Sequence, residues 1–182
     1  MGEVSGNVSA NEPKNIALNE LFNQLVREHS RKLYTHIRSI IMDHEQTNDI
    51  LQNTFMKAWQ SYGSFRGDAQ VSTWLFRIAT NEALQHLRKQ KTRKLLNLFY
   101  NSQPNSGQSD DFFTGEDIRL KLEKALQTLT VHQRMIFSMK YYNDMKYSEM
   151  SQVLNLSEGT LKATYHQVSK KIETMVTHLS LD

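Results

Sequence analysis

The sequence predicts an all-α protein made of two small helical domains joined by a flexible linker. Apolar residues recur at helical spacing through most of the 182 residues. Only two prolines occur, Pro13 and Pro104, and both lie outside the periodic segments, as expected if those segments are helices. From Asn101 to Gly115 the periodicity stops, and Ser, Asn, Gly and acidic residues dominate, which is typical of a linker.

Apolar spacing predicts three helices in the first domain, at about residues 18–41, 47–62 and 71–88. The break between the last two runs from Gly63 to Asp68, and aromatic and basic residues flank it. We expect Trp59 and Trp74, on either side of this break, to pack in the core, since Trp side chains are mostly buried. The first domain is therefore predicted to span residues 18–92, after a disordered leader at residues 1–17.

The second domain is predicted to span residues 116–179, after a linker at residues 93–115. Apolar spacing predicts helices here at about residues 116–129, 131–142, 147–154 and 158–179. The last two of these helices are separated by only a tight turn, which is the arrangement of a helix-turn-helix.

The turn itself has suitable residues for this motif. Asn155 suits a position with positive φ, and Ser157 suits the N-cap of the helix that follows. Apolar residues of the final helix share one predicted buried face: Leu161, Tyr165, Val168 and Ile172. The opposite face carries short and polar side chains close to the helix N-terminus, which suits contact with base edges in a major groove. A plain helical hairpin with a solvated face is the alternative.

Composition restricts the classes of function. Lys and Arg exceed Asp and Glu by 22 to 19, and the net charge of +3 permits a nucleic-acid partner without requiring one. The chain has no cysteine, which excludes disulfides and thiolate metal sites and favours a reducing compartment. No apolar run is long enough to span a bilayer, and the polar N-terminus lacks a signal core. We therefore predict a cytoplasmic protein without membrane insertion.

Three segments resemble the sigma-70 superfamily of bacterial transcription factors: DILQNTFMKAW, FRGDAQVSTWLFRIATN and YSEMSQVLNLSEGTLK. The first two are similar to region 2 and the third to region 4, and the lack of a domain between them resembles the extracytoplasmic-function group. The resemblance implies an alternative sigma factor that binds core RNA polymerase, recognises −35 and −10 promoter elements and helps to open the duplex. It implies promoter DNA and an anti-sigma factor as further partners. It implies no catalytic site, cofactor, metal or small-molecule substrate.

The resemblance assigns three groups of residues. Binding of core polymerase is implied for residues of the second predicted helix: Asp49, Gln52, Asn53, Phe55 and Lys57. Binding of −10 DNA is implied for the break and the third helix: Phe65, Arg66, Gly67, Ala69, Arg77, Asn81 and Arg88. Binding of −35 DNA is implied for the second domain: Lys140, Thr160, Lys162, Ala163, His166, Gln167 and Lys170. The loop at Phe65 would receive an unpaired base, and Asn81 would lie at the base of its pocket.

The chain departs from the commoner family pattern at several of these positions. Asn53 stands where Glu is usual, which removes one charge from the polymerase-binding helix. Ala163 and Gln167 stand where many relatives carry Arg or Ser. We therefore expect the fold to be kept and the base preference to be altered, so the −35 sequence cannot be taken from the family.

Two other functions are compatible with parts of the sequence. A self-sufficient helix-turn-helix regulator would account for residues 147–175 but not for the break and Asn81. A metalloenzyme would use some of the seven histidines, and His29 and His36 are spaced to share a helix face. No carboxylate completes an HExxH-like set, so scattered solvent-facing histidines are the better interpretation.

Overall fold

The all-α fold is confirmed by the computed structural model, which describes residues 12–63, 65, 70–100, 122 and 124–178. Its helices, in chain order, are α1 Glu12–Ile41, α2 His44–Tyr62, α3 Val71–Tyr100, α4 Val131–Phe137, α5 Tyr147–Leu154 and α6 Glu158–His178. Residues 124–127 are also helical, and α4 continues directly into a π-helical turn, Ser138–Tyr142. None of the helices in these described ranges is long and apolar enough to cross a membrane.

The N-terminal domain is a bundle of α1, α2 and α3. Its core contains Leu33, Ile37 and Leu75, each with no exposed surface, and Phe76 packs beside them. Burying a side chain of this size contributes about 1.5–3 kcal/mol to folding. The short connection between α1 and α2 is ordered by Asp43, whose carboxylate accepts a hydrogen bond of 2.9 Å from the Gln46 backbone N–H. This N-cap starts α2 at His44, earlier than the predicted start near Thr47.

Two predicted boundaries are wrong at the ends of this domain. α1 begins at Glu12, so residues 12–17 are helical rather than part of a disordered leader. Pro13 is accommodated because it lies in the first turn, where its missing N–H has no helical partner. α3 continues to Tyr100 instead of ending near Arg88, so residues 93–100 are helical rather than linker. Residues 89–100 contain no Gly or Pro and are rich in Lys and Leu, which favour helix.

The C-terminal domain contains the predicted helix-turn-helix in α5 and α6. Asn155 has φ 54° and ψ 44°, which confirms the prediction of positive φ at this turn. The Ser157 hydroxyl accepts a hydrogen bond of 3.1 Å from the Thr160 N–H, which confirms its role as N-cap. Leu161 and Val168 are buried on the predicted apolar face of α6, and Tyr165 on the same face is half-buried.

The two domains pack against each other. α1 contacts α4 and the π-helical turn, and α3 contacts α5. A single cluster of buried side chains includes the core of the N-terminal domain together with Met135, Met139 and Met150 of the C-terminal domain. The rest of the C-terminal domain has its own cluster around Leu129, Phe137 and Ile172.

Candidate nucleic-acid interfaces

The predicted polymerase-binding residues lie along α2. Asp49, Gln52 and Asn53 are exposed, whereas Phe55 is half-buried and packs against the core. The Lys57 ammonium forms an ion pair with Glu82 of α3, so this residue also joins two helices. The structure therefore places the polar members of this group on an open surface and gives Phe55 a structural contact as well.

Two apolar residues of α2 share this exposed surface and were not predicted there. Met56 is 50% exposed and Trp59 is 40% exposed. The prediction of a buried Trp59 is therefore wrong, because its ring lies at the edge of the bundle and meets Phe22 edge-on at 5.0 Å. Gln52, Met56 and Trp59 follow one another at spacings of four and three residues, which puts them on one helix face. This exposed apolar face could have been predicted from Met56, because Met56 is an apolar residue that lies off the apolar stripe of α2.

An aromatic group lies at the break between α2 and α3. The half-buried ring of Phe65 lies 4.9 Å from the ring of Trp74, and Trp74 lies 6.5 Å from Tyr62. Trp74 packs against the core, as predicted. The other predicted members of the loop, Arg66, Gly67 and Ala69, lie outside the described residues.

The remaining −10 residues lie on one face of α3. Arg77, Asn81 and Arg88 are all exposed and are separated by four and seven residues, which is helical spacing. The Arg77 guanidinium donates hydrogen bonds of 2.8 and 3.2 Å to the backbone carbonyl of Gln152 in α5. Arg77 is thus already occupied by the C-terminal domain, whereas Asn81 and Arg88 face solvent.

His36 of α1 packs against the buried side of α3. It was not identified from the sequence as a core residue. It has no exposed surface, and its Nε2 lies 2.9 Å from the Thr80 hydroxyl. The Thr80 hydroxyl donates to the Phe76 carbonyl at 2.7 Å, so Nε2 is the donor of the first bond. Burial lowers the pKa of His36 to about 3, because desolvation disfavours the imidazolium. The expectation of solvent-facing histidines is wrong at this position.

No metal-binding group of three His, Asp or Glu side chains occurs within the described parts of the chain. His44, which follows His36 along the sequence, instead accepts or donates a hydrogen bond of 2.6 Å with the Tyr34 hydroxyl.

The exposed face of α6 holds most of the predicted −35 residues. Each of the following is exposed: Thr160, Lys162, Ala163, His166, Gln167 and Lys170. They lie opposite the buried Leu161 and Val168, and Thr160 lies in the first turn of the helix, where backbone N–H groups carry partial positive charge. This face can therefore approach both phosphates and base edges.

Lys140 is placed differently from the other predicted −35 residues. Its ammonium donates to the Asp144 carboxylate and the Met145 carbonyl, each at 3.2 Å. It also lies 5.6 Å from the ring centroid of Tyr147, and Lys162 lies at the same distance from that ring. Lys140 thus stabilises the turn before α5, where Asp144 has φ 48°. Tyr147, whose ring lies beside both lysine ammonium groups, was not predicted as a residue of this site. The sequence marks it only by its position as the first residue of α5.

Comparison with known proteins identifies both domains. Residues 25–93 match the family model Sigma-70 region 2, and residues 119–172 match Sigma-70, region 4. The chain is 27% identical to the ECF RNA polymerase sigma factor SigX of Bacillus subtilis over 156 residues, covering 82% of this chain and 80% of that protein. It is 28% identical to the ECF RNA polymerase sigma factor SigM of Mycobacterium tuberculosis over 164 residues, covering 87% and 79%.

A solved structure has the same fold. The sigma factor RpoE of Bartonella quintana, in complex with the anti-sigma factor NepR, aligns with a TM-score of 0.73 at 22% identity. The alignment covers 86% of this chain and 96% of that one. With both regions matched in order along the chain, the protein belongs to the sigma-70 superfamily as an extracytoplasmic-function RNA polymerase sigma factor, an alternative sigma factor that directs transcription initiation.

Proposed function

We propose that this sigma factor acts through three separate surfaces and has no catalytic site of its own. The exposed face of α2 binds core polymerase, the Phe65 loop with α3 binds the −10 element, and α6 binds the −35 element. This proposal rests mainly on α3 and α6. Each of these helices has one exposed polar face, and the opposite face of each packs in the core. The proposed working units are the bundle of α1, α2 and α3 and the C-terminal domain that contains α4, α5 and α6.

Duplex opening is proposed to depend on Phe65 and Asn81. Unstacking a base costs a few kcal/mol, and stacking it on an aromatic ring returns about 1–3 kcal/mol. The ring centroids of Trp74 and Phe65 lie 4.9 Å apart, so Trp74 restricts the rotation of the Phe65 ring. A ring that is already ordered loses less entropy when a base stacks on it. Asn81 offers an amide that donates and accepts hydrogen bonds, which suits the edge of a flipped base. Arg77 and Arg88 on the same face would bind phosphates and hold the domain in position.

Recognition of the −35 element is proposed for the exposed face of α6. Gln167 can pair with an adenine edge, and Lys162 can reach a guanine or a phosphate. Lys162 is held near this face by Tyr147 and by Glu158, whose carboxylate lies 3.9 Å away. Lys140 would act on DNA only after releasing Asp144, so we propose a mainly structural role for it.

We propose two further properties of the same protein. Because its partner is core polymerase, it acts in the cytoplasm. One solved structure of this fold holds the sigma factor RpoE in complex with the anti-sigma factor NepR, and a second holds CnrH in complex with the cytosolic domain of CnrY. We propose that an anti-sigma factor also binds this chain.

The experiment that tests the proposed function is in vitro transcription with core polymerase and genomic promoter fragments, followed by mapping of start sites. We expect discrete new start sites that share two sequence elements and require the protein. Tight duplex binding without polymerase, together with no new start sites, would favour a self-sufficient helix-turn-helix regulator instead.

The polymerase-binding face makes a separate prediction. Replacing both Gln52 and Met56 with alanine should weaken binding to core polymerase about tenfold, or about 1.4 kcal/mol, which is the loss expected if the pair lies at the buried centre of the interface. Both side chains are exposed, so the free energy of unfolding should change little. Titration of labelled protein with core polymerase gives the dissociation constant. Gln24→Ala, at an exposed position of α1, is the matched control, and an unaltered constant in the double variant would assign binding to another face.

A further inference from the structure

Two lysines of the C-terminal domain meet at the ring of Tyr147. The ammonium groups of Lys140, in the π-helical turn, and of Lys162, in α6, each lie 5.6 Å from the centroid of this ring. A cation within about 6 Å of a tyrosine ring centroid is attracted to the face of the ring. Tyr147 is half-buried and packs against the core at the start of α5, so the fold fixes the ring that both lysines contact.

Each of these lysines also has a carboxylate partner. The Lys140 ammonium donates to the Asp144 carboxylate at 3.2 Å, and the Lys162 ammonium lies 3.9 Å from the Glu158 carboxylate. Two positive charges beside one ring repel each other, and the two carboxylates offset this repulsion because they bring the four charges to a net of zero. The group around Tyr147 is therefore balanced in charge before any DNA binds.

The two lysines differ in how many of their donors are used. Lys140 makes two hydrogen bonds, to Asp144 and to the Met145 carbonyl, and only 26% of its side chain is exposed. Lys162 is 60% exposed, and its separation of 3.9 Å from Glu158 is longer than a hydrogen bond. The ring and the carboxylate thus limit where the Lys162 ammonium can move, while its three donors can still bind a ligand.

The restriction of Lys162 affects which group of the DNA it can bind. An unrestrained lysine is a point charge on a flexible stem, so it can reach a backbone phosphate as readily as a base edge. A phosphate contact carries no sequence information, whereas a hydrogen bond to guanine O6 or N7 does. Glu158 lies beside the ammonium, and its negative charge disfavours the approach of a phosphate but not of an uncharged guanine edge.

We propose that Tyr147 is a positioning residue for −35 recognition, which holds the Lys162 ammonium in place for a guanine edge. Tyr147 acts through Lys162, and Lys140 supports the ring from within the domain. This role rests on the proposed −35 function of α6. It goes further by naming guanine as the ligand of Lys162 and the Tyr147 ring as a source of the selectivity for that base.

The test measures base selectivity at each −35 position. Holoenzyme made with each full-length variant binds a library of promoters randomised across the −35 element, and the bound DNA is sequenced. We expect the parent to prefer a G·C pair at one position, and Lys162→Met to lose that preference. Tyr147→Leu should lower selectivity at the same position about fivefold, or about 1 kcal/mol, because a cation–π contact is lost. Tyr147→Phe keeps the face of the ring and should keep the parental selectivity.

A double variant separates positioning from a general effect on the fold. If Tyr147 acts through Lys162, adding Tyr147→Leu to Lys162→Met should cause no further loss at that position. Tyr141→Leu removes an exposed tyrosine of the same domain and is the matched control, which should keep the parental profile.

The contact with the ring also has a signature that needs no DNA. In the free full-length protein, the ε-methylene protons of Lys162 should resonate upfield of their ordinary position, because the Tyr147 ring shields them. The shift should persist in Tyr147→Phe and disappear in Tyr147→Leu. An ordinary resonance position in the parent protein would mean that Tyr147 does not hold Lys162.

Three results with a folded Tyr147→Leu would overturn the positioning role: a parental profile, an equal loss at every −35 position, or a further loss on top of Lys162→Met. If Tyr147→Leu does not fold, Glu158→Gln removes the other restraint at an exposed position. It should lower selectivity at the same position about twofold, and an unchanged profile would overturn the role. A parental profile in Lys162→Met would refute the proposed −35 function of Lys162 and the positioning role with it. Loss in Lys162→Met beside a parental Tyr147→Leu would refute the positioning role alone.

Discussion

Replacing Phe65 or Asn81 with alanine is expected to block promoter opening while leaving the binding of core polymerase intact. Each side chain is assigned to the flipped base of the −10 element, one by stacking and one by hydrogen bonding. Loss of stacking alone removes about 1–3 kcal/mol per base, which lowers the equilibrium for the open complex about 5- to 150-fold. The polymerase-binding face on α2 is a different surface, so assembly with core polymerase should be unaffected.

The measurement is permanganate footprinting of unpaired thymines on a promoter that the parent holoenzyme opens. Phe65→Tyr keeps the ring and should restore opening, which separates stacking from other effects of the mutation. Asn23→Ala, at an exposed position of α1, is the matched control for Asn81→Ala. Because Phe65 packs on Trp74, thermal unfolding of Phe65→Ala should be recorded alongside. Normal thymine reactivity in both alanine variants would remove these residues from the opening step.

The parts of the fold that the sequence predicts well are those decided by neighbouring residues. Asn155 at positive φ, Ser157 as N-cap and the buried Leu161 follow from local backbone preferences and helical spacing, and all are confirmed. The predicted end of α3 near Arg88 is wrong, because the basic run that follows Arg88 continues the helix. Lys and Arg are good helix formers, so such a run has no reason to end a helix.

The features that were missed depend on residues far apart in the chain. Trp59 is exposed because the bundle ends beside it, which no local pattern reveals. Arg77 and Arg134 meet carbonyls of the other domain, and nothing in the spacing of either arginine predicts such a partner. For the candidate site, family resemblance predicted which faces of α3 and α6 are exposed, but the roles of those residues stay predictions.

His36 gives the second large effect, on stability as a function of pH. In the unfolded chain its pKa is near 6.5, and burial lowers it to about 3 in the folded protein. The unfolded state therefore binds more protons between these two values. The stability gained by burying neutral His36 is therefore fully present above pH 6.5 and is lost as the pH falls toward 3. From pH 7 to pH 5 the free energy of unfolding should fall by about 2 kcal/mol because of this residue alone.

The His36–Thr80 bond joins α1 to α3 next to Asn81, so protonation of His36 would disrupt the packing that positions the −10 face. Urea unfolding at pH 7 and pH 5 measures the effect in the parent protein and in His36→Gln, whose amide can still donate to Thr80. The variant should lose about 2 kcal/mol less than the parent across this interval, since it has no proton to bind.

Burial also lowers the pKa of His29, which adds a smaller loss of the same sign to both proteins. His132→Gln, at an exposed position of α4, should keep the parental dependence. Equal losses in the parent and His36→Gln would mean that His36 is not held neutral in the core.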